Sequence, residues 1–253
     1  MAHAFGDHCG CFPTGLPYPG IADLLLRAPS TPIGIAAEFD VDTAITDLPL
    51  AVIDTETTGR DPARGDRIIE IAIVYFDRGA PTSRHALLVD PGMPIPPDST
   101  AVHGITDADV RGKPRFDGIA RDVLGLLAGR IPVAYNASFD RTFIFSEMRK
   151  AGFPPGTDRA LPPTMRSNVE WIDPLVWARA VQPNAKGYKL GEVAARLDVA
   201  LVQAHRATDD AEAAGHVLMA LLRSQGRLSY REAVQKQREH SLAFDRTRGN
   251  WRR

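Results

Sequence analysis

The sequence predicts an α/β domain built on a mixed β-sheet flanked by helices. Three observations lead there. Short apolar runs of strand length come first, and two of them are separated by a turn signal that makes a hairpin. Strands and amphipathic helices then alternate along the second half. That order, hairpin strands followed by alternating helix and strand, suits a sheet with both antiparallel and parallel neighbours.

Leu50-Ala51-Val52-Ile53 reads as a buried strand. Arg67–Phe76 (RIIEIAIVYF) is strongly β-prone. Asp77-Arg78-Gly79-Ala80 reads as a turn, and Arg84–Val89 as the returning strand. Asp90–Thr100 carries four prolines and reads as a loop. Phe116, Ile119, Ala120, Val123, Leu126 and Leu127 mark one helical face, which Gly129 stops. Ile131–Tyr135 is a short strand, Ser138–Lys150 a helix ending at Ala151-Gly152, and Asn168–Asp173 a further strand. Leu190, Val193, Ala194 and Leu197 recur at helical spacing. A long helix is expected from about Asp209 to Leu222, capped by Thr208. Ser229 and Glu232 fit a capping box, so Tyr230 to about His240 forms an extra helix. The expected organisation is an N-terminal extension over 1–47, partly irregular, a main domain over 48–223, and a basic C-terminal helix or tail over 224–253.

The chain has 253 residues, 44% hydrophobic and 24% charged, ordinary values for a globular protein. Its formal net charge of −1 hides an asymmetry. From Arg223 to Arg253 stand nine Lys/Arg against three Asp/Glu, a net +6, and the remainder, 21 basic against 28 acidic, carries −7. A basic tail on an acidic body is either an electrostatic arm for nucleic acid or a solvated terminus. The only cysteines, Cys9 and Cys11, form no disulfide framework, which fits a reducing cytoplasm. His3 and His8 lie near them, but no second pair stands at zinc-finger spacing. No apolar run has membrane-spanning length, and the start has no signal-peptide pattern.

Asp54 and Glu56 stand at the end of the first strand. Side chains at i and i+2 share a face, about 6–7 Å apart. Two carboxylates there repel and lose hydration unless a cation lies between them. Hard oxygen ligands suit magnesium or manganese. Asp140 falls in the first turn of a helix, where an acid meets the positive end of the helix dipole whether or not it holds a ligand. His205 and Asp210 are five residues apart. On one helix they would be rotated by about 140° and would not share a face; with Thr208 as the cap, His205 lies on the incoming loop and can fold back over Asp210.

Taken together, D-x-E at a strand end, Asp140 after Asn136-Ala137-Ser138-Phe139, and H-x-x-x-x-D opening a late helix resemble the DnaQ-like (DEDDh) 3′-to-5′ exonucleases of the ribonuclease-H-like fold. Val102-His103-Gly104-Ile105-Thr106 looks like a segment of the same family, and the likeness spans roughly Pro49 to Leu222. It implies that Asp54, Glu56, Asp140 and Asp210 hold two Mg²⁺ or Mn²⁺ ions, with Asp209 as the rival of Asp210. It implies that His205 is the general base and that Glu56 touches both a metal and the reacting water or terminal sugar. It also implies a site for the last nucleotide: backbone N–H groups of Thr57 and Thr58 at the 3′-OH, with His103, Asn136 and Phe139 near the base or sugar. Tyr135 departs from many relatives, which carry His before the Asn.

Within that family the chain resembles the proofreading epsilon subunit of bacterial replicative DNA polymerase. The expected activity is metal-dependent hydrolysis of phosphodiesters at single-stranded 3′ ends of DNA, in proofreading or repair. The alternatives are an RNA-trimming enzyme of the oligoribonuclease or ribonuclease T kind, and a non-catalytic polymerase-associated nucleic-acid-binding module. Glu239–Phe244 resembles short sliding-clamp-binding peptides, with Glu239 where Gln is usual and Leu242 and Phe244 as apolar anchors. The competing reading makes them the last turn of a helix folded back on the domain.

Overall fold

The computed structural model describes residues 33–201 and 206–250. Cys9, Cys11, His3, His8 and His205 therefore lie outside the described residues. A four-stranded sheet organises the domain in the order β3-β2-β1-β4. Strands β1 (Leu50–Thr57), β2 (Ile68–Asp77) and β3 (Ala80–Leu88) are antiparallel neighbours, whereas β4 (Ile131–Val133) runs parallel to β1. The expected mixed sheet is thus present. The hairpin turns on Arg78 (φ 53°) and Gly79 (φ 78°). Two consecutive positive φ angles make the tight turn whose twist matches the flanking strands.

Strand alternation sorts the core into two layers. Ala51 and Ile53 of β1, with Ile71 and Ile73 of β2, face α3 (Phe116–Leu127) and α4 (Ser138–Lys150). Leu50 and Val52, with Ala72, Val74 and Phe76, face α5 (Pro174–Val181), α6 (Leu190–Arg196), α7 (Ala207–Ser224) and α8 (Tyr230–Asn250). A sheet buried on both faces explains the near-continuous apolar runs of β1 and β2. Among the described residues no helix is long and apolar enough to cross a membrane.

Four local expectations are corrected. The proline-rich loop contains α1 (Pro97–His103), and α2 (Asp107–Val110) follows it. Pro97 sits at the start of α1, where its missing N–H costs nothing. Asn168–Asp173 is not a strand: Val169 and Ile172 make only isolated bridges, to Gly34 and Val133. Ile172 alone pairs with β4, its N–H donating to the Pro132 carbonyl and its carbonyl accepting the Ala134 N–H, while on the outer edge the Gln237 side chain, in place of a further strand, takes the Trp171 carbonyl and the Asp173 N–H. Helix α7 begins at Ala207, so Thr208 lies inside it. The Ala207 N–H is met by Glu70, reaching over from β2. Finally, α8 continues to Asn250, with the Ser229–Glu232 capping box intact at its start.

Helix α8 is packed on the domain. Tyr230, Ala233, Val234 and Gln237 are buried, and the Tyr230 hydroxyl accepts the Ala36 N–H at 3.1 Å. Residues before the sheet contribute as well, through buried Ile35, Ala36 and Ile45.

Helix α7 approaches the sheet closely at Gly215. A Cβ there would lie 2.3 Å from the ring of Phe76, which is fully buried. Gly215→Ala sets two effects against each other. Helix propensity favours alanine by up to about 1 kcal/mol, while overpacking a filled core costs about 1–3 kcal/mol. Net destabilisation is expected, read as a lower urea midpoint; an unchanged or higher midpoint would contradict this packing.

Candidate active site

The carboxylates gather where β1 ends, and strand alternation decides from which side each comes. Asp54 and Glu56 point to the α7 face, as Leu50 and Val52 do. Asp210 stands in the first turn of α7, opposite them. One oxygen from each of Asp54, Glu56 and Asp210 lies within 4.8 Å of the other two. Asp140 arrives from the other face, in the first turn of α4, and is almost fully buried. It is tied to β1 by Thr55, whose hydroxyl donates to Asp140 Oδ1 at 2.7 Å. The α4 N-terminus, with its partial positive charge, is one compensation for burying this acid.

Asp209 lies apart. It lines a groove with Arg84, Glu212 and His216 that none of Asp54, Glu56 and Asp210 lines. The structure therefore puts Asp210, not its neighbour, among the clustered carboxylates.

Sequence reasoning missed a fifth acid. Glu70 is the direct cross-strand partner of Glu56 in the β1–β2 register. It is 9% exposed, faces Arg206, and its Oε2 has no hydrogen-bond partner among the described residues. The hairpin register was the signal that could have found it, because like charges directly opposed on a sheet are destabilising without compensation.

Electrostatics follow from this crowding. Burial, then Asp140, Glu56, Asp210 and Glu70, raise the Asp54 carboxyl well above the usual carboxylate range. Burial, then Asp210, Glu70 and Asp140, push Glu56 up to about 8. Burial pushes Asp140 up to about 7, although its bond from Thr55 opposes the shift. A site of several close carboxylates that resist ionising together is chemically fitted to a divalent cation, which supplies the missing positive charge.

Next to the acids lies a cavity of about 480 Å³. It is lined by Glu56, Thr57, Arg60, His103 and Phe139, among others. Three residues expected at a terminal nucleotide, Thr57, His103 and Phe139, are thus brought together with a clustered acid. His103 Nδ1 accepts the Ile105 N–H at 3.0 Å, which orients its ring. Phe139 packs on Phe143, with ring centroids 4.9 Å apart.

Thr58 and Asn136 differ. The Thr58 N–H donates to the Arg67 carbonyl at 2.9 Å, and its hydroxyl accepts the Arg67 N–H at 2.9 Å. That amide is spent closing the connection between β1 and β2, so its expected bond to a 3′-OH has no hydrogen to use. Asn136 is exposed with φ 65°. Its position requires a left-handed backbone, which Asn tolerates better than most residues.

The family model described as Exonuclease matches residues 51–218. The chain is 36% identical over 179 residues to the 3′-5′ exonuclease DinG of Bacillus subtilis (strain 168), covering 71% of this chain and 18% of that protein. It is 36% identical over 160 residues to the DNA polymerase III subunit epsilon of Treponema pallidum (strain Nichols), covering 62% of this chain and 69% of that one. The structure of exonuclease X in complex with 5′ overhanging duplex DNA superposes with a TM-score of 0.55 at 29% identity, over 73% of this chain and 97% of that one. The chain thus spans less than a fifth of DinG but nearly all of exonuclease X.

The raised pKa values have a pH consequence with a definite sign. An acid whose folded pKa lies above its unfolded value binds more protons folded than unfolded. Its contribution is fully present below the unfolded pKa and is lost as pH rises through the folded value. With Glu56 at about 8 and Asp140 at about 7, the metal-free protein should melt at lower temperature as pH rises from 5 to 8. Added Mg²⁺ or Mn²⁺ should restore more of the melting temperature at the alkaline end. Thermal melts in chelator and in metal test this, and parallel pH profiles in the two would refute it.

A second variant separates shape from contact. Asn136→Gly keeps the left-handed backbone, so it should leave the melting temperature within about 1 °C while removing the side chain. A raised KM for single-stranded DNA would then assign the amide to substrate; an unchanged KM would leave it a turn residue. With the carboxylate cluster, the adjoining cavity and the match over residues 51–218 in hand, the chain belongs to the exonuclease family, in its DnaQ-like 3′-5′ branch.

Proposed function

We propose that this chain is a metal-dependent 3′-to-5′ exonuclease acting on single-stranded or frayed DNA ends. The observation that carries the reading is the cluster of Asp54, Glu56 and Asp210 beside a cavity lined by Thr57, His103 and Phe139. An anionic strand end could not approach five clustered acids unless their charge were offset by cations. Asp54, Glu56, Asp140 and Asp210 are the residues that would hold two Mg²⁺ or Mn²⁺ ions, whose charge the four carboxylates nearly balance. When bound, such ions supply Lewis-acid stabilisation of the attacking and leaving oxygens.

The protein's own residues have separable tasks. Glu56 borders both the acid cluster and the cavity, so it stands where the terminal sugar and the attacking water meet. Phe139 offers a ring for the last base, and stacking of this kind tolerates any sequence. His103 closes the cavity on the side of α1. His205 immediately precedes Arg206, the residue that leads into α7. An imidazole with pKa near 6.5 takes a proton from water at neutral pH, which makes His205 the general base of this reading.

DNA is favoured as substrate by the epsilon relative and by the duplex DNA bound to exonuclease X. Leu242, 59% exposed on α8, is the anchor a polymerase or clamp-type partner would use, with Phe244 two residues on.

The test uses 5′-labelled DNA and RNA strands of equal sequence with Mg²⁺, Mn²⁺ or chelator. A ladder shortening from the 3′ end is expected on DNA with metal and not with chelator. A faster ladder on RNA would reassign the substrate, and no digestion with either metal would overturn the activity. His205→Ala should lower the rate on the order of 10²–10⁴-fold while Mn²⁺ binding persists. Undiminished digestion by that variant would remove His205 from its role.

A further inference from the structure

Helix α8 lies outside residues 51–218, which the family model matches, yet it is linked to the acidic centre by a series of polar contacts. The series begins at Gln237, which is 2% exposed. Its Oε1 accepts the Asp173 N–H at 2.8 Å and the Trp177 Nε1–H at 3.1 Å, and its Nε2 donates to the Trp171 carbonyl at 2.8 Å. One side-chain amide thus bonds residues i and i+2 of an extended segment, as the peptide group of a neighbouring strand would. It fixes the backbone of Asp173.

The Asp173 carboxylate is spent on other backbone groups. Oδ1 accepts the N–H of Asn136 and of Leu175, both at 2.9 Å, and Oδ2 accepts the N–H of Ala137 at 3.0 Å. Asn136 is in the left-handed region, which Asn tolerates better than most residues, and the bonds to Asp173 hold the turn in that form. The carbonyls of the same two residues accept the N–H of Phe139 at 2.9 Å and of Arg141 at 3.0 Å. Those are the two neighbours of Asp140. Asp173 therefore grips the turn whose carbonyls hold the N–H groups of both sequence neighbours of Asp140.

We propose that Asp173 is a positioning residue of the acidic centre, setting Asp140, and that Gln237 makes α8 a working part of that centre. The inference rests on the reading of Asp140 as one of the metal-holding acids. The plain competing role is an N-cap: Asp173 meets Leu175 at the start of α5. A cap needs only one oxygen and one partner. The two additional bonds to Asn136 and Ala137 serve no helix-capping purpose for α5, and they are the ones that lead to Asp140.

The roles separate by experiment on the full chain. Asp173→Ala, Asp173→Asn and Gln237→Ala are compared with wild type at a temperature where circular dichroism shows all of them folded. Mn²⁺ affinity is read by electron paramagnetic resonance titration, and kcat and KM on a single-stranded DNA oligonucleotide. Outer partners that orient a ligand typically change affinity or activity by about 10–100-fold. Asp173→Ala should therefore weaken Mn²⁺ binding about tenfold and lower kcat by more, with KM little changed. Asp173→Asn keeps one carbonyl acceptor and should fall between, and Gln237→Ala should weaken Mn²⁺ binding in the same direction by a smaller factor.

A lowered melting temperature with wild-type Mn²⁺ affinity and kcat would reduce Asp173 to a helix cap and overturn the proposal. Should Asp173→Ala fail to fold, Asp173→Asn and Gln237→Ala decide by the same readings. Asp140→Ala is the control: if it leaves Mn²⁺ binding unchanged, the assignment of Asp140 as a metal-holding acid fails, which is a different result from insensitivity at Asp173 alone.

Discussion

Mutual repulsion of closely gathered, partly buried carboxylates is the constraint on which the rest of this molecule depends. Asp54, Glu56 and Asp210 place oxygens within 4.8 Å of one another, with Asp140 and Glu70 close enough to raise their neighbours' pKa values. Each would prefer water, and a fold selected for stability alone would not gather them. Two of them, Asp140 and Glu70, have protein groups that offset their charge. Thr55 donates to Asp140, the α4 N-terminus lies beneath it, and Arg206 faces Glu70. What protein groups leave uncompensated is the charge a divalent cation would supply.

The sheet makes that gathering possible by geometry rather than by attraction. Because side chains alternate along β1, its end can present Asp54 and Glu56 to one helical layer and Thr55 to the other. Helix α7 brings Asp210 to the first face, and α4 brings Asp140 to the second, where Thr55 holds it. Helix N-termini are used twice for the same physical reason: an acid in the first turn meets the exposed N–H groups. Close packing then fixes the distances. Gly215 lets α7 lie directly on Phe76, and any thickening there would move the helix that carries Asp210.

Rigidity of this kind has to be paid for in hydrogen bonds, and the molecule draws them from distant segments. Glu70 of β2 meets the first N–H of α7, Arg67 at the start of β2 forms a two-pronged ion pair with buried Glu147 of α4, and Gln237 stands in for a missing strand beside Trp171 and Asp173. None of these links is local in sequence. Together they join the hairpin, the helix bearing Asp140 and the last helix into one frame around the acids.

The sequence by itself determined the types of most elements and brought Asp54, Glu56, Asp140 and Asp210 forward as candidate acids. The D-x-E pair, Asp140 after its polar turn and Asp210 opening a periodic helix are local patterns, and local patterns survive into the fold because strand and helix periods are intrinsic to the backbone. Helix α4 matches its expected bounds for the same reason. Tertiary structure alone decided the pairings. Glu70 became a neighbour of Glu56 only through strand register, and Thr58 lost its free amide only because the connection between β1 and β2 closed on Arg67. Asn168–Asp173 has the composition of a strand, but only Ile172 pairs with β4, and its outer edge is met by Gln237, more than sixty residues later. Such outcomes depend on which distant groups meet, and a linear pattern does not carry that information.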